Sequence, residues 1–236
     1  MKTLISKAEI EEIGESLISK YIGDQPDVVF CTDIEGFITD FLHYNIEYLE
    51  MADEDKLGFL SDGVSTIDVI DEGVRKTILL PVGYIIIARK LLSAIHSGKR
   101  RFTLAHEAAH ILICRMCPLY TGALYRRDFC VEREYNAAQL HERLNCAEMQ
   151  ADSLASVLLM PRFLVERVKN KIFGDRPIVQ YGNAVFTGDD KLAIDEMADT
   201  LGVTFHSLII RLRTLKMIQH KDIEEFINTE LSFGGN

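Results

Sequence analysis

Apolar residues recur with helical spacing at Ile10, Ile13, Leu17, Ile18 and Tyr21, and the run closes at Gly23 ahead of Pro26. This predicts an opening amphipathic helix over residues 6–22. Between residues 57 and 90 the pattern changes to short β-prone runs, GFL, STIDVI, KTILLP and YIIIA, separated by SDG, DEG and PVG. Those separators are the punctuation of hairpin turns, so a small sheet of about three strands is expected. Helical patterns follow over 101–115, 147–159, 162–172 and 191–227, with a less regular stretch at 118–145. The segment FGDRPIVQYGNAVFTGDD, residues 173–190, gathers Pro, Gly and Asp and marks the best boundary. It divides the chain into a domain of residues 1–175 and a helical, helix-turn-helix-like region of residues 176–236. The expected class is α+β, with helices following a small sheet.

The helical pattern at residues 101–110, RFTLAHEAAH, carries the chemistry. His106 and His110 are four residues apart, so on a helix both imidazoles project from one face and can reach one tetrahedral metal ion. Glu107 lies about 100° round the helix and can address a water on that ion. The metal lowers the pKa of the water and the carboxylate takes its proton. The surrounding positions are apolar, from Phe102 and Leu104 to Ile113. Two histidines and a glutamate buried there need partners, and a metal supplies one. The plainer alternative is a helix whose histidines are satisfied by hydrogen bonds in a core.

A catalytic zinc takes a third protein ligand and keeps a fourth position open. Six residues beyond the second histidine stands Met116, so the search moves to NCAEMQADSLASVLLMP, residues 145–161. There Glu148 and Asp152 are again four apart on an apolar helix stopped by Pro161. Glu148 suits the metal, and Asp152 suits a histidine ring N–H, fixing its tautomer. Against this, Asn145 and Glu148 also match a capping box, which would tie Glu148 to a helix start. Glu132, Glu134 and His141 are the replacement ligands.

Together, RFTLAHEAAH and EMQADSLASVLLMP resemble the ImmA/IrrE family of metallo-endopeptidases, whose members show Arg-Phe-Thr-x-Ala-His-Glu-x-x-His and then Glu-x-x-Ala-Asp running into Leu-Met-Pro. A third block, MADTLGVTFHSLIIRLRTLKMI at 197–218, extends the similarity over roughly residues 100–220. The resemblance implies zinc held by His106, His110 and Glu148, with Glu107 as general base. It also implies a reduced zincin-like fold, with the small sheet packed on the active-site helix, and a protein substrate that is a helix-turn-helix repressor of mobile-element or stress genes. Departures from the family wording are Ala109, where Gly is usual, and Leu154 and Val157, where Phe and Glu are common.

Composition narrows the alternatives. The chain has 236 residues, 47% hydrophobic and 26% charged, enough for a buried core without disulfides. A net charge of −10 argues against a broad phosphate-binding surface, so nucleic acid is not the expected partner. Five cysteines, an odd number, and an N-terminus without a continuous apolar stretch fit a reduced, cytoplasmic protein. The most apolar segment, ILLPVGYIIIA, is too short to span a bilayer, so no membrane is expected. Residues 191–215 read as a helix, a turn at Gly202 and a second helix. There Arg211, Arg213 and Lys216 are candidates for phosphate contact, and a solvated face on a packed helix pair is the plainer alternative. Cys114, Cys117, Cys130 and Cys146 could form a second zinc site, although buried small cysteines are commoner. Tyr120, Tyr125, Tyr135 and His141 are candidates for stabilising an oxyanion. Two further function classes stay open: a non-hydrolytic zinc-fold protein that binds a regulator, and a DNA-binding regulator.

Overall fold

The computed structural model describes residues 5–23, 26–116 and 137–230 of the chain, which has a mixed α+β fold. Helix α1, Lys7–Ile22, is opened by a full capping box: Ser6 Oγ accepts from Glu9 N at 3.3 Å, and Glu9 Oε2 accepts from Ser6 N at 2.9 Å. It ends at Gly23 with φ 67°. A single helical turn, α2 (Ile34–Gly36), leads into a π-helical turn at Phe37–Phe41.

The strands then follow as β1 (Asn45–Leu49), β2 (Gly58–Leu60), β3 (Thr66–Asp71), β4 (Val74–Leu79) and β5 (Tyr84–Ala88). They form two sheets. In the first, of order β1-β5-β2, β5 runs parallel to β1 and antiparallel to β2. Ile85, Ile86 and Ile87 are each fully buried, so the centre of the sheet is covered on both faces, which explains an apolar run without alternation. The second is the hairpin β3–β4, whose two-residue turn places Glu72 and Gly73 at positive φ. The sheet thus has the expected strand number, but β1 was not among the four runs read from the sequence. Two of those runs pair separately as the hairpin.

Helix α3, Ser97–Met116, and helix α4, Ala137–Leu159, pack against each other. Both bear fully buried alanines, Ala105, Ala108 and Ala109 on α3 and Ala151 and Ala155 on α4. Small side chains let the two axes approach closely. α4 begins ten residues earlier than the pattern suggested. Position 145 therefore lies inside the helix and not at its N-terminus, so the capping-box role considered for Glu148 does not arise there.

α5 (Arg162–Phe173) follows Pro161, and β6 (Ile178–Tyr181) pairs in parallel with β7 (Ile218–Lys221). Between them stand α6 (Gly188–Leu201) and α7 (Phe205–Thr214), joined through Gly202 in the left-handed conformation, with Thr204 capping α7. The chain closes with α8, Ile223–Glu230. The helical pattern expected over 191–227 is therefore broken at Gly202 and again after α7. Lys216 takes φ 57° after α7, and residues 218–221 pair with β6 instead of continuing the helix. Buried residues from α1 through α7 belong to one hydrophobic core, including Val168 and Phe173 on one side of the 175/176 boundary and Ile178 and Ile194 on the other. Among the described residues no helix is long and apolar enough to cross a membrane.

Candidate metal centre

The α3–α4 pairing determines the site. His106 and His110 stand one turn apart on α3, and Glu148 faces them from α4. Their ligand atoms lie within 4.8 Å of one another, and no other group of three or more potential ligands forms among the described residues. The Nε2 atoms of His106 and His110 are 3.0 Å apart. Glu148 reaches both: Oε2 is 3.1 Å from His106 Nε2, and Oε1 is 3.6 Å from His110 Nε2.

Asp152 stands one turn beyond Glu148, with Oδ1 2.9 Å from His106 Nδ1. A carboxylate only accepts, so Nδ1–H donates and Nε2 is turned toward Glu148 and His110. His110 Nδ1 is buried and has no hydrogen-bond partner among the described residues. Both histidines are mostly covered, while Glu148 and Asp152 are more than half exposed and form the open rim of the site.

The electrostatics follow from this packing. Burial alone would depress His106, but its hydrogen bonds to Asp152 and Glu148 and the charges of Glu107 and Glu148 outweigh burial and raise its pKa to about 10. Glu148, bonded to both imidazoles, is held well below the usual carboxylate range. Glu107 is only 9% exposed, and burial pushes its pKa up, opposed by His110 and His106. One α3 turn thus carries a carboxylate disposed to keep a proton beside two imidazoles that share an anionic partner.

The donor set fits a divalent metal. Two Nε2 atoms 3.0 Å apart repel as bare lone pairs and need a proton or a cation between them. Two imidazoles and one carboxylate with an open side match the ligand complement of catalytic zinc.

All five sequence-derived positions, His106, Glu107, His110, Glu148 and Asp152, lie in this one place. The other histidines, His43, His96, His206 and His220, join no such group. Glu132, Glu134, Tyr120, Tyr125, Tyr135, Cys117 and Cys130 fall outside the described residues, as do the side chains of His141 and Cys146. Cys114 is buried on α3. The candidate phosphate contacts are largely committed within the protein. Arg211 is 1% exposed, donates Nε–H to the Met160 carbonyl at 2.8 Å and forms a two-pronged ion pair with Glu11. Arg213 donates to Gln180 Oε1 at 2.9 Å.

Two further residues beside the site were not read from the sequence. Gly58 on β2 stands directly against the Glu107 carboxylate, and Lys56 is close enough to favour that carboxylate's charged form. An isolated glycine inside the LGFL strand pattern is a signal of close approach that could have singled out Gly58.

No family model matches the chain, and no curated protein matches it. Among solved structures, one described as a Mycobacterium tuberculosis transcriptional regulator is similar, with a TM-score of 0.51 and 13% sequence identity. The match covers 90% of this chain but 57% of the other, so the chain spans little more than half of that protein's length. At this identity the likeness is one of fold.

Proposed function

We propose that the chain is a zinc-dependent endopeptidase of the ImmA/IrrE type with a reduced zincin-like fold, acting in the cytoplasm on a protein substrate, a helix-turn-helix repressor. The observation that carries this reading is the convergence of His106, His110 and Glu148 beside a buried Glu107, with Asp152 on the far nitrogen of His106. Neutral His106 and His110 and ionised Glu148 would hold the metal. Bound zinc would supply a Lewis acid that makes water a nucleophile near neutral pH.

The chain's own residues do the rest. Asp152 keeps the His106 proton on Nδ1 and Nε2 free to ligate. Glu107 accepts the proton of the attacking water. Because burial favours its protonated form, it can hold that proton and return it to the leaving amine. The exposed rim at Glu148 and Asp152 leaves access for an extended polypeptide. The burial of Arg211 in an ion pair with Glu11, and the hydrogen bond that ties the exposed Arg213 to Gln180, disfavour a DNA-binding role for α7.

Elemental analysis of folded wild-type, His106→Ala and Glu148→Ala proteins tests the metal, and cleavage of a proteome-derived peptide library read by mass spectrometry tests the activity. About one zinc per wild-type chain is expected, lost in both variants, with cleavage abolished by Glu107→Gln. A folded wild type that stays metal-free after incubation with zinc would sink the proposal. One that binds zinc yet cleaves nothing would favour a non-hydrolytic protein that binds a regulator.

A further inference from the structure

Gly58 opens β2, and its α-carbon faces Thr103 and Glu107, which lie one turn apart on α3. A β-carbon at this position would stand 2.8 Å from Thr103 Cγ2, 3.1 Å from the carboxyl carbon of Glu107 and closer still to Glu107 Oε1. Ordinary contacts between carbons are about 3.5–4.0 Å. Gly58 is not among the glycines with positive φ, so its backbone would accept any L-residue. Space, not conformation, is what requires glycine here.

Two of the three parts of this contact are fixed. β2 is tied to β5 through Gly58↔Ile87, Phe59↔Ile86 and Leu60↔Ile85, and Ala88 N donates to the Leu57 carbonyl at 2.9 Å. Thr103 is β-branched, and its hydroxyl donates to the Lys99 carbonyl at 3.0 Å, which locks its side chain. Only the Glu107 carboxylate, the far end of a flexible side chain, is able to yield.

We propose that Gly58 is the positioning residue for the Glu107 carboxylate: its missing side chain is the room in which that group stands beside the two histidines. The proposal rests on the peptidase reading for what Glu107 does, while the contact itself is testable without it. The three atoms nearest a methyl at 58 all belong to Thr103 and Glu107, none to His106, His110 or Glu148.

The experiment uses Thr103→Ser as background, which removes the other collision. There Gly58→Ala is expected to lower Tm by roughly 2–10 °C, and by less than about 2 °C once Glu107→Ala is also present. Should Gly58→Ala fail to fold, adding Glu107→Ala is expected to restore folding. Equal losses with and without the Glu107 side chain would overturn the contact. The folded Gly58→Ala protein is further expected to retain about one zinc per chain while cleaving the peptide library at least about 100-fold more slowly than its background. Cleavage at the background rate would overturn the positioning role even if the stability cycle succeeded. A zinc-loaded wild type that cleaves nothing would overturn the peptidase reading and the positioning role with it, whatever the stability cycle gives.

Discussion

Removing Asp152 should weaken metal binding without removing a ligand, and by an amount that depends on pH. The Asp152 carboxylate is 2.9 Å from His106 Nδ1 and is the largest of the influences that raise this histidine to about 10, with burial acting the other way. Losing such an orienting partner typically costs 10–100-fold in affinity, and at 58% exposure solvent screening puts Asp152→Ala near the lower end, about tenfold or 1.4 kcal/mol. Asp152→Asn keeps an acceptor oxygen and loses only charge, so about threefold is expected.

A second effect opposes the first. In the metal-free chain the metal must displace a proton from His106, at a cost of about tenfold per pH unit below its pKa. Without Asp152 that proton leaves more readily, which hides part of the deficit at pH 7. The ratio of wild-type to Asp152→Ala affinity should therefore grow as pH rises from 7 to 9. Competition against a chromophoric zinc chelator, corrected for the chelator's own protonation, measures it at each pH. A ratio that stays at one, or that shrinks with rising pH, would refute the reasoning. A loss of about a thousandfold or more would make Asp152 a ligand in its own right.

Three other outcomes are expected. In metal-free protein, the His106 contribution to stability is complete below its unfolded pKa of 6.5 and is lost as pH rises toward about 10. That of Glu148 is present above its unfolded pKa of 4.5 and is lost as pH falls. The Tm advantage over a His106→Ala/Glu148→Ala double variant in EDTA should therefore peak between those two values and reverse its alkaline trend when zinc is added; a flat difference would count against the pairing. Arg211→Ala leaves Glu11 and the Met160 carbonyl without their buried partner, a loss of about 3–5 kcal/mol that should lower Tm by roughly 6–20 °C in thermal denaturation, and a change under about 2 °C would refute it. Gly14→Ala should destabilise although alanine favours helix, because the new β-carbon would stand 2.5 Å from Val157 Cγ1 and 2.9 Å from Val157 Cβ. Val157→Ala removes the Cγ1 collision but keeps the β-carbon, so the double variant should lose less Tm than the sum of the two single losses, and additive losses would show that the two positions do not meet.

The site was legible in the sequence because its parts come in two helical pairs. Spacing of four residues puts His106 with His110 and Glu148 with Asp152 on single faces, and the apolar residues around them indicate which faces are buried. Turn chemistry likewise marked the hairpin, since Asp-Glu-Gly places a glycine at position 73, where φ is positive, although Glu72 takes positive φ without being a residue that favours it. What failed depends on long-range pairing. β1, with the pattern Asn-Ile-Glu-Tyr-Leu, is a strand because β5 lies beside it, and β7 looks helical until β6 supplies its hydrogen bonds. The start of α4 was missed because residues 137–146 carry charges and amides that obscure the apolar period. Gly58 shows the same limit: a glycine in a strand signals closeness, but only the packing of β2 on α3 shows that the neighbour is Glu107.

The Arg211–Glu11 pair joins positions 200 residues apart, and this bears on the order of assembly during synthesis. At about 5–20 residues per second, Glu11 leaves the ribosome some 10–40 s before the guanidinium that neutralises it, and the Met160 carbonyl also waits for its donor. His106, His110, Glu148 and Asp152 all emerge earlier than Arg211. The nascent chain can therefore join α3 to α4 and complete its cluster of imidazoles and carboxylates while α1 is held by apolar contacts and by Glu15, which accepts from Arg162 N at 2.6 Å. Arg211 is the last of these groups to emerge, and its ion pair adds a charged link between the first helix and the end of α4.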